Sequence, residues 1–316
     1  MPLDTNFEKF LAEMAAAGLP SIEDLTVDQV REMTAQMSLQ GPADEVAAVE
    51  DRFVVLPEAT LPVRIYRPVE GPERPGLLVW FHGGGWVFGS VAMNDTLCRR
   101  MCNSAQVIVI SVDYRLAPEH KFPAAVQDAW EILGWAALHA DAEGGDPEKL
   151  AIGGSSSGGN LAAVVALMAR DARTPTLRHQ LLLYPATDLT LSHASYESNS
   201  DGFVLTAGAM RWFRQQYLPT TQPADDWRVS PLFAPDLTGL PSAHVITAEY
   251  DVLCDEGSAY AERLRVAGVP TVHDCYHGVI HNFAEMGAVS PIATEAIDRA
   301  ASIMKGALGG PESRSQ

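Results

Sequence analysis

The fold is decided by one stretch of the sequence, Lys149-Leu-Ala-Ile-Gly-Gly-Ser-Ser-Ser-Gly-Gly-Asn160. Its apolar start predicts a buried strand, and the alanine-rich residues 159–170 predict a helix. Between them, Gly154, Ser156 and Gly158 have the pattern G-x-S-x-G, which is typical of a tight turn that carries a nucleophilic serine. Glycines are favoured there because a strained turn leaves no room for Cβ atoms beside the serine.

The flanking glycines also distinguish the three consecutive serines. Only Ser156 has glycine both two residues before it and two residues after it. Ser155 and Ser157 each have a serine at one of these places. The pattern therefore predicts Ser156 as the nucleophile.

Two other interpretations of this turn are possible. Gly154 and Gly159 have the spacing of a phosphate-binding loop, but Asn160 and Leu161 stand where that loop needs lysine and then serine or threonine. Serine and glycine can also begin a helix without any chemistry. The partner residues described below favour the nucleophilic turn over both interpretations.

Short runs of Val, Ile and Leu alternate with amphipathic stretches from about residue 77 onward. The predicted strands are 77–81, 107–112, 149–152, 180–184, 244–248 and 270–276. The predicted helices are about 94–104, 123–139, 159–170, 256–266 and 292–308. Upstream, 54–56 and 63–66 are expected to be antiparallel strands at one edge. The predicted fold class is α/β, a mostly parallel central sheet flanked by helices.

Two segments, 1–45 and 188–225, do not fit this alternation. The first has two predicted helices, 7–17 and 27–39, without a strand between them. The second is a long insertion with one predicted helix, 207–218. Because long insertions are usually functional, we expect both segments to form a helical cap. The catalytic domain then comprises 46–187 and 226–308, and the tail 309–316 is expected to be disordered.

A second motif, His82-Gly-Gly-Gly-Trp86, follows the predicted strand 77–81. Consecutive glycines let backbone N–H groups turn toward an oxygen that becomes negatively charged during a reaction. The dinucleotide-binding pattern G-x-G-x-x-G cannot be placed on residues 83–89. Together with the downstream Ser156, the motif therefore indicates acyl transfer.

A nucleophilic serine of this kind is followed along the chain by an acid and then a histidine. Asp251 comes soon after the predicted strand 244–248, at the sheet edge where active-site loops gather. Glu249 is an alternative at the same edge. Asp255 and Glu256 are expected in the first turn of the next helix, where its dipole favours acidic side chains.

Three of the nine histidines, His273, His277 and His281, lie near the last predicted strand and beyond the acid. His273 is inside that strand, where a structural role is expected. His277 follows the strand directly, so the pleat sets its direction. His281 lies in the predicted loop after Gly278, which lets its ring return over the serine, with Phe283 as an apolar anchor. His281 is therefore the predicted base, and His277 is its alternative.

Together these segments resemble the hormone-sensitive-lipase family of α/β-hydrolases, in its bacterial carboxylesterase branch. The likeness covers about residues 60–305 and rests on five segments: His82–Trp86, Asp113–Glu119, Gly154–Asn160, Asp251–Glu256 and His281–Phe283. It implies an α/β-hydrolase fold and a serine carboxylesterase that cleaves short- to medium-chain esters through an acyl-enzyme. The alternatives are an amidase or deacetylase of a specific metabolite and, further away, a receptor on the same fold that lacks the histidine.

The resemblance also implies a role for each site residue. The expected nucleophile, acid and base are Ser156, Asp251 and His281. The backbone N–H groups of Gly84, Gly85 and Ser157 are expected to form the oxyanion hole, with Gly83 as a further contributor. The segment 113–119 is expected to order the loops behind the site.

The chain departs from the family pattern beside the nucleophile and beside the base. The family usually has Asp or Thr before the nucleophile and Ala after it, where this chain has Ser155 and Ser157. The usual His-Gly-Phe is His281-Asn282-Phe283 here. Because the oxyanion donor expected at position 157 is a backbone amide, serine is compatible with that role.

The charge of the chain excludes several kinds of partner. Its 316 residues include 22 Lys plus Arg and 40 Asp plus Glu, a net charge of −18, which repels nucleic acids and anionic membranes. The apolar runs are far shorter than the ~20 residues that span a bilayer. The N-terminus lacks the pattern of a signal peptide, and the four cysteines lack zinc-finger spacing. We expect a cytoplasmic protein without cofactor or metal, whose partner is a small-molecule ester; a homodimer is left open.

Overall fold

Continuous apolar runs form the centre of an eight-stranded sheet in the computed structural model, which describes residues 1–36 and 39–309. The strands are β1 (Ala48–Val55), β2 (Thr60–Arg67), β3 (Leu77–Phe81), β4 (Ile108–Val112), β5 (Leu150–Ser155), β6 (Leu177–Leu183), β7 (Ser242–Tyr250) and β8 (Thr271–Ile280). Their order across the sheet is β1-β2-β4-β3-β5-β6-β7-β8. β2 is antiparallel to both of its neighbours, and the other neighbouring pairs are parallel. The predicted mostly parallel sheet is therefore confirmed, with its antiparallel strands at one edge.

Helices cover both faces of this sheet because its central strands are apolar on both sides. The helices are α1 (Thr5–Ala17), α2 (Val27–Gln36), α3 (Asp95–Ala105), α4 (Ala124–His139), α5 (Ser157–Ala172), α6 (Ser195–Ser198), α7 (Ala207–Tyr217), α8 (Cys254–Val266) and α9 (Ile292–Gly309). Leu77, Val79 and Phe81 of β3 pack on the face covered by α4, α5 and α8. Leu78 and Trp80 pack on the opposite face, which α3 and α9 cover. Among the helices of the described ranges, none is both long and apolar enough to cross a membrane.

The last strand is longer than its sequence predicted. β8 continues past Tyr276 to Ile280, so His277 and Gly278 are strand residues and His281 follows the strand directly. Gly278 has a φ of +72°, and pairing with β7 resumes at Ile280 after a shift in register. The predicted end of the strand at Tyr276 is therefore wrong, because glycine here produces an irregularity within the strand and does not end it. His281 lies in the turn that follows the longer strand.

Smaller differences concern the ends of the helical segments. The insertion 188–225 contains a second, short helix, α6, which the sequence did not indicate. α2 ends at Gln36, and residues 37–38 of its predicted span lie outside the described residues. Gly309, predicted to begin a disordered tail, is the last residue of α9, and 310–316 lie outside the described residues.

The two segments predicted to form a cap both reach the cavity beside Ser156. Ile22, in a short 3₁₀ helix after α1, and Phe213 of α7 line that cavity. Phe213 packs so closely on the second glycine-rich segment that a Cβ built on Gly85 would lie 2.3 Å from its ring. Phe7 of α1 is buried in the core on the α3 and α9 side of the sheet. These contacts support the division into a cap and a catalytic domain, which stays a prediction.

One arginine of the N-terminal segment fastens α2 to the glycine-rich segment. The Arg31 guanidinium donates to the carbonyl oxygens of Val87 (2.9 Å) and Ala117 (3.0 Å). It also donates two hydrogen bonds of 2.8 Å to the Glu119 carboxylate. The guanidinium lowers the pKa of Glu119 to about 2. Arg31 thus links α2 to Val87, just after the glycines, and to the segment 117–119.

We expect Arg31→Ala to lower the free energy of unfolding by about 1 to 3 kcal/mol, because two backbone carbonyls lose a charged donor. Glu119→Gln is the matched control, since it leaves both of these hydrogen bonds in place. Glu119 is half-exposed, so its ion pair with Arg31 should contribute about 0 to 1 kcal/mol. Urea denaturation of both variants checks this difference. Equal losses would show that the ion pair, and not the backbone contacts, holds α2.

Candidate active site

Ser156 lies at the turn between β5 and α5 in a strained conformation. Its φ of 54° and ψ of −116° are rare for a residue with a side chain. Both backbone polar groups of Ser156 are hydrogen-bonded. Its amide donates to the Leu183 carbonyl (2.9 Å), and its carbonyl accepts from the amides of Asn160 (3.0 Å) and Ala186 (3.2 Å). The strain is therefore maintained by backbone hydrogen bonds, and Ser156 lines the cavity beside it.

The glycines on either side of Ser156 are required by close backbone contacts. A Cβ built on Gly154 would lie 2.4 Å from the backbone of Gly158. A Cβ built on Gly158 would lie 2.0 Å from the carbonyl oxygen of Phe81. Neither gap admits a methyl group, so the sequence pattern has a direct steric cause.

Gly158→Ala is expected to lower the free energy of unfolding by about 3 kcal/mol or more, because backbone atoms must move to admit the methyl group. The control is Gly134→Ala in α4, where a Cβ would meet no atom within 4 Å. That substitution should raise stability by about 0.4 to 1 kcal/mol through the unfolded chain. Thermal and urea denaturation of the two variants test the contrast. A Gly158→Ala protein as stable as the parent would show that the turn relaxes.

The structure brings Ser156, Asp251 and His281 together in one buried row. His281 Nδ1 lies 2.7 Å from Asp251 Oδ2, and His281 Nε2 lies 3.1 Å from Ser156 Oγ. All three are buried: Ser156 is 8% exposed, Asp251 1% and His281 6%. Because the carboxylate can only accept, Nδ1 donates to it, and Nε2 of the neutral ring is left to accept from the serine hydroxyl. The arrangement can pass a proton from Ser156 to His281.

Asp251 and His281 are held by residues that the sequence did not single out. The Leu253 amide donates to Asp251 Oδ1 (2.9 Å), and the Asn199 side chain donates to the Asp251 carbonyl (3.0 Å). Tyr184 places its ring at the edge of the His281 ring, with 5.0 Å between the centroids. No motif marks Asn199 or Tyr184, since each acts through a contact between distant parts of the chain.

The anchor predicted beside the base is present. Phe283 has no exposed surface and lies in a 3₁₀ helix, Phe283–Glu285, directly after His281 and Asn282. Its ring packs against Tyr184 and Tyr276. The segment that follows β8 is therefore fixed by apolar packing, which limits the movement of the His281 ring.

The alternative histidines are engaged elsewhere. His277 is half-exposed and lies 3.3 Å from Glu249, which also accepts from the Gly278 amide. His273 lies on β8 with its Nε2 3.0 Å from the Thr247 hydroxyl. Neither ring is hydrogen-bonded to Ser156 within the described residues.

The alternative acids also have partners outside the row. Asp255 accepts from the Ser195 amide (2.8 Å), and both Asp255 and Glu256 lie in the first turn of α8, as predicted. Glu256 is buried and accepts from the amides of Thr187 (2.6 Å) and Asp188 (3.0 Å), where the insertion begins. Burial raises the pKa of Glu256 well above its usual value. Both acids therefore fasten the insertion to α8.

The second glycine-rich segment lies against the turn of Ser156. A Cβ on Gly83 would lie 3.4 Å from Ser156 Cβ, and Gly84 and Gly85 have φ of +114° and +59°. In the described part of the chain, the amides of Gly83, Gly84, Gly85 and Ser157 donate to no protein acceptor. Such unpaired N–H groups beside a nucleophile can stabilise a negatively charged oxygen.

The segment 113–119 supports these glycines from behind. The Tyr114 hydroxyl donates to the His82 carbonyl (2.9 Å), and its ring stacks on the His82 ring with 4.3 Å between the centroids. Asp113 accepts from the Val91 amide (2.6 Å). These contacts agree with the ordering role expected from the sequence.

Two cavities that share lining residues lie beside the row. The inner cavity, about 110 Å³, is lined by Ser156, His281 and the glycines. The outer cavity, about 400 Å³, lies between α1, α2 and the loop before α7. Across the described residues, no group of three or more His, Cys, Asp or Glu side chains is placed to hold a metal ion.

Comparison with known proteins agrees with this geometry. The family model described as alpha/beta hydrolase fold matches residues 78–285. Carboxylesterase NlhH from Mycobacterium tuberculosis is 40% identical over 264 residues, which cover 82% of this chain and 83% of that protein. An arylesterase from Saccharolobus solfataricus is 37% identical over 285 residues, or 90% and 92% of the two chains. The structure of an ester hydrolase from the metagenome of Lake Arreo superposes with a TM-score of 0.94 at 39% identity, covering 97% of this chain and 99% of the other.

The architecture of the sheet, the turn at Ser156 and these similarities lead to the same assignment. The chain belongs to the α/β-hydrolase family, in the hormone-sensitive-lipase branch that its motifs resemble.

Proposed function

We propose that this protein is a serine carboxylesterase that hydrolyses small carboxylic esters through an acyl-enzyme on Ser156. The observation that carries the proposal is the row of hydrogen bonds from Asp251 through His281 to Ser156, at 2.7 and 3.1 Å. Relatives named carboxylesterase and arylesterase support the same reaction class.

Each step follows from the position of a group in the row. His281 Nε2 removes the Ser156 hydroxyl proton while Oγ bonds to the ester carbonyl carbon, and the carbonyl electron pair moves onto its oxygen. His281 then gives the proton to the leaving alcohol as the ester bond breaks. Water, deprotonated by the same nitrogen, attacks the acyl carbon. The bond from that carbon to Ser156 Oγ then breaks, the acid leaves, and His281 returns the proton to Oγ. Asp251 stabilises the charged ring without taking up its proton.

The carbonyl oxygen of the ester, which becomes negatively charged, is expected to bind to backbone amides beside Ser156. The N–H groups of Gly84, Gly85 and Ser157, beside Ser156, donate to no protein acceptor in the described ranges, and Gly83 is placed to contribute as well. Preorganised donors of this kind stabilise the transition state because they need no reorientation when the charge develops.

Hydrolysis of p-nitrophenyl butyrate and of the matching p-nitroanilide tests the reaction class. The ester is expected to be cleaved through a rapid first release of nitrophenol, whereas the anilide is expected to react far more slowly. The acyl chain is then varied, and the highest kcat/KM is expected for short to medium chains, since Ser156 and His281 open onto the small inner cavity. Preferred cleavage of the anilide would favour an amidase instead.

The location we propose is the cytoplasm. The four cysteines are free thiols, and disulfides are rare in that compartment. Fractionation of cells followed by detection of the protein checks this, and recovery outside the cytoplasm would overturn it.

A further inference from the structure

The inner and outer cavities meet at an acidic side chain. Glu285 lines both of them, in the 3₁₀ helix that follows His281. It is the only acidic residue among the described side chains around the inner cavity, and Glu23 and Asp201 join it around the outer one. No lysine or arginine in the described ranges lines either cavity.

The Glu285 carboxyl group is poorly compensated. Its Oε1 atom is buried and has no hydrogen-bond partner among the described residues. The polar side chains that face it are those of Ser155, His281, Asn282 and Asn94. They stabilise its charged form only in part, because burial outweighs them and raises the pKa of Glu285. A buried carboxylate without a counter-ion is costly, so the site favours a ligand that supplies positive charge.

The walls around Glu285 determine what kind of cation fits. Four apolar side chains line both cavities where they meet: Ile22, Phe88, Met93 and Val204. Asn282 is the one polar side chain that lines both beside Glu285 among the described residues. One amide oxygen and one carboxyl group are too few acceptors for the several hydrogen bonds of a primary ammonium or guanidinium group. The apolar walls suit an alkylated ammonium, whose methyl groups can contact apolar and aromatic side chains while its charge faces the carboxylate.

We propose that this site selects esters that carry an alkylammonium group, with Glu285 as the counter-ion, and disfavours esters that carry a carboxylate. The inference rests on the proposed esterase function and adds a substrate class to it. The opposite charges attract strongly because apolar walls exclude water from the space between them.

The preference for cationic esters has a defined pH dependence. Burial raises the pKa of Glu285. The group therefore becomes charged only as the pH rises through this raised value, and the preference should grow with pH over the same range. The titratable neighbours are His281 on the same segment, Tyr184 after β6, Tyr114 after β4, and Cys98 on α3. Glu23 and Asp201 are the other acidic groups that line the outer cavity among the described residues. Protonation of His281 slows cationic and neutral esters alike, so it cancels in the ratio of their rates.

Two pairs of isosteric esters test the proposal. The first is butyrylcholine and its carbon isostere, in which a tert-butyl group replaces the trimethylammonium group. The second is the methyl ester of trimethylammoniobutyrate and its tert-butyl isostere, which place the charge on the acyl side. In at least one pair, kcat/KM is expected to favour the cation by about tenfold, equivalent to about 1.4 kcal/mol. An ester of similar size with a terminal carboxylate is expected to be the poorest substrate.

Glu285→Gln should reduce this preference to about twofold or less while the neutral ester is still cleaved. Glu262→Gln, which removes an exposed charge on α8, is the matched control and should keep the preference. The proposal is overturned if neither pair discriminates in the parent protein, or if the preference persists in Glu285→Gln.

A binding measurement separates this inference from the esterase proposal. Isothermal titration calorimetry compares choline with its tert-butyl isostere on Ser156→Ala protein, with and without Glu285→Gln. If no neutral ester is hydrolysed by the parent protein, the esterase proposal fails, whereas tighter choline binding that depends on Glu285 still supports the cation site. Equal binding of the two alcohols refutes the cation site whatever the hydrolysis assays show.

Discussion

Ser156→Ala is expected to lower the rate of ester hydrolysis by a factor of about 10⁴ to 10⁶, because it removes the hydroxyl that is hydrogen-bonded to His281. Ser156 Oγ is 3.1 Å from His281 Nε2, and the strained turn presents it to the inner cavity. Without the hydroxyl, no acyl-enzyme can form. Steady-state hydrolysis of p-nitrophenyl butyrate, with the first turnover followed separately, measures the loss.

The neighbouring serines are the controls for this prediction. Among the residues that the structure describes, the Ser155 hydroxyl is buried without a hydrogen-bond partner. The Ser157 hydroxyl lies 3.5 Å from the Tyr114 hydroxyl behind the glycines. Ser155→Ala and Ser157→Ala should therefore remain active, since the donor needed at 157 is the backbone amide. An organophosphate provides a direct check of the nucleophile. Mass spectrometry that located the label on Ser155 or Ser157 would overturn the assignment of Ser156.

His281→Ala is expected to lower kcat by about 10³-fold or more, because the serine proton then has no acceptor. The ring is buried and hydrogen-bonded to both Asp251 and Ser156, whereas Phe283 carries the packing of the segment. The fold should therefore survive the substitution. Circular dichroism checks folding, and a burst assay checks whether the acyl-enzyme still forms.

His277→Ala is the matched control, because it removes an imidazole from the adjoining strand. His277 is half-exposed and contacts Glu249. The loss in kcat should be no more than about tenfold. If His277→Ala is inactive and His281→Ala is not, the base has been assigned to the wrong histidine.

The features predicted well from the sequence are those with local causes. Continuous apolar runs such as 77–81 predict buried parallel strands because both of their faces must be covered. Glycines at 154 and 158 predict a strained turn, and the structure supplies the reason in the carbonyl of Phe81, which leaves no room for a methyl group. The end of β8 was predicted wrongly, since glycine at 278 can either stop a strand or distort it, and only the pairing with β7 distinguishes the two outcomes.

The choice among the acids and histidines shows the limit of sequence reasoning. Glu249 and Asp251 are two residues apart at the end of β7, and both lie at the sheet edge where an acid is expected. The pleat and the turn after the strand direct Asp251 to His281, whereas Glu249 faces His277 and Gly278. The spacing of residues along the sequence does not show in which direction each of these side chains points.

By itself the sequence determined the sheet, the strained turn and the short set of residues from which a reacting row can be built. Apolar periodicity and glycine sterics act over a few residues, so they can be recognised in any chain. The tertiary structure alone decided which members of that set meet, and how Arg31 holds the turn after the glycines. It also decided that Glu285 Oε1 is buried without a hydrogen-bond partner among the described residues. Each of these depends on contacts between residues far apart in the sequence, and burial makes them matter because water is not there to replace a missing partner.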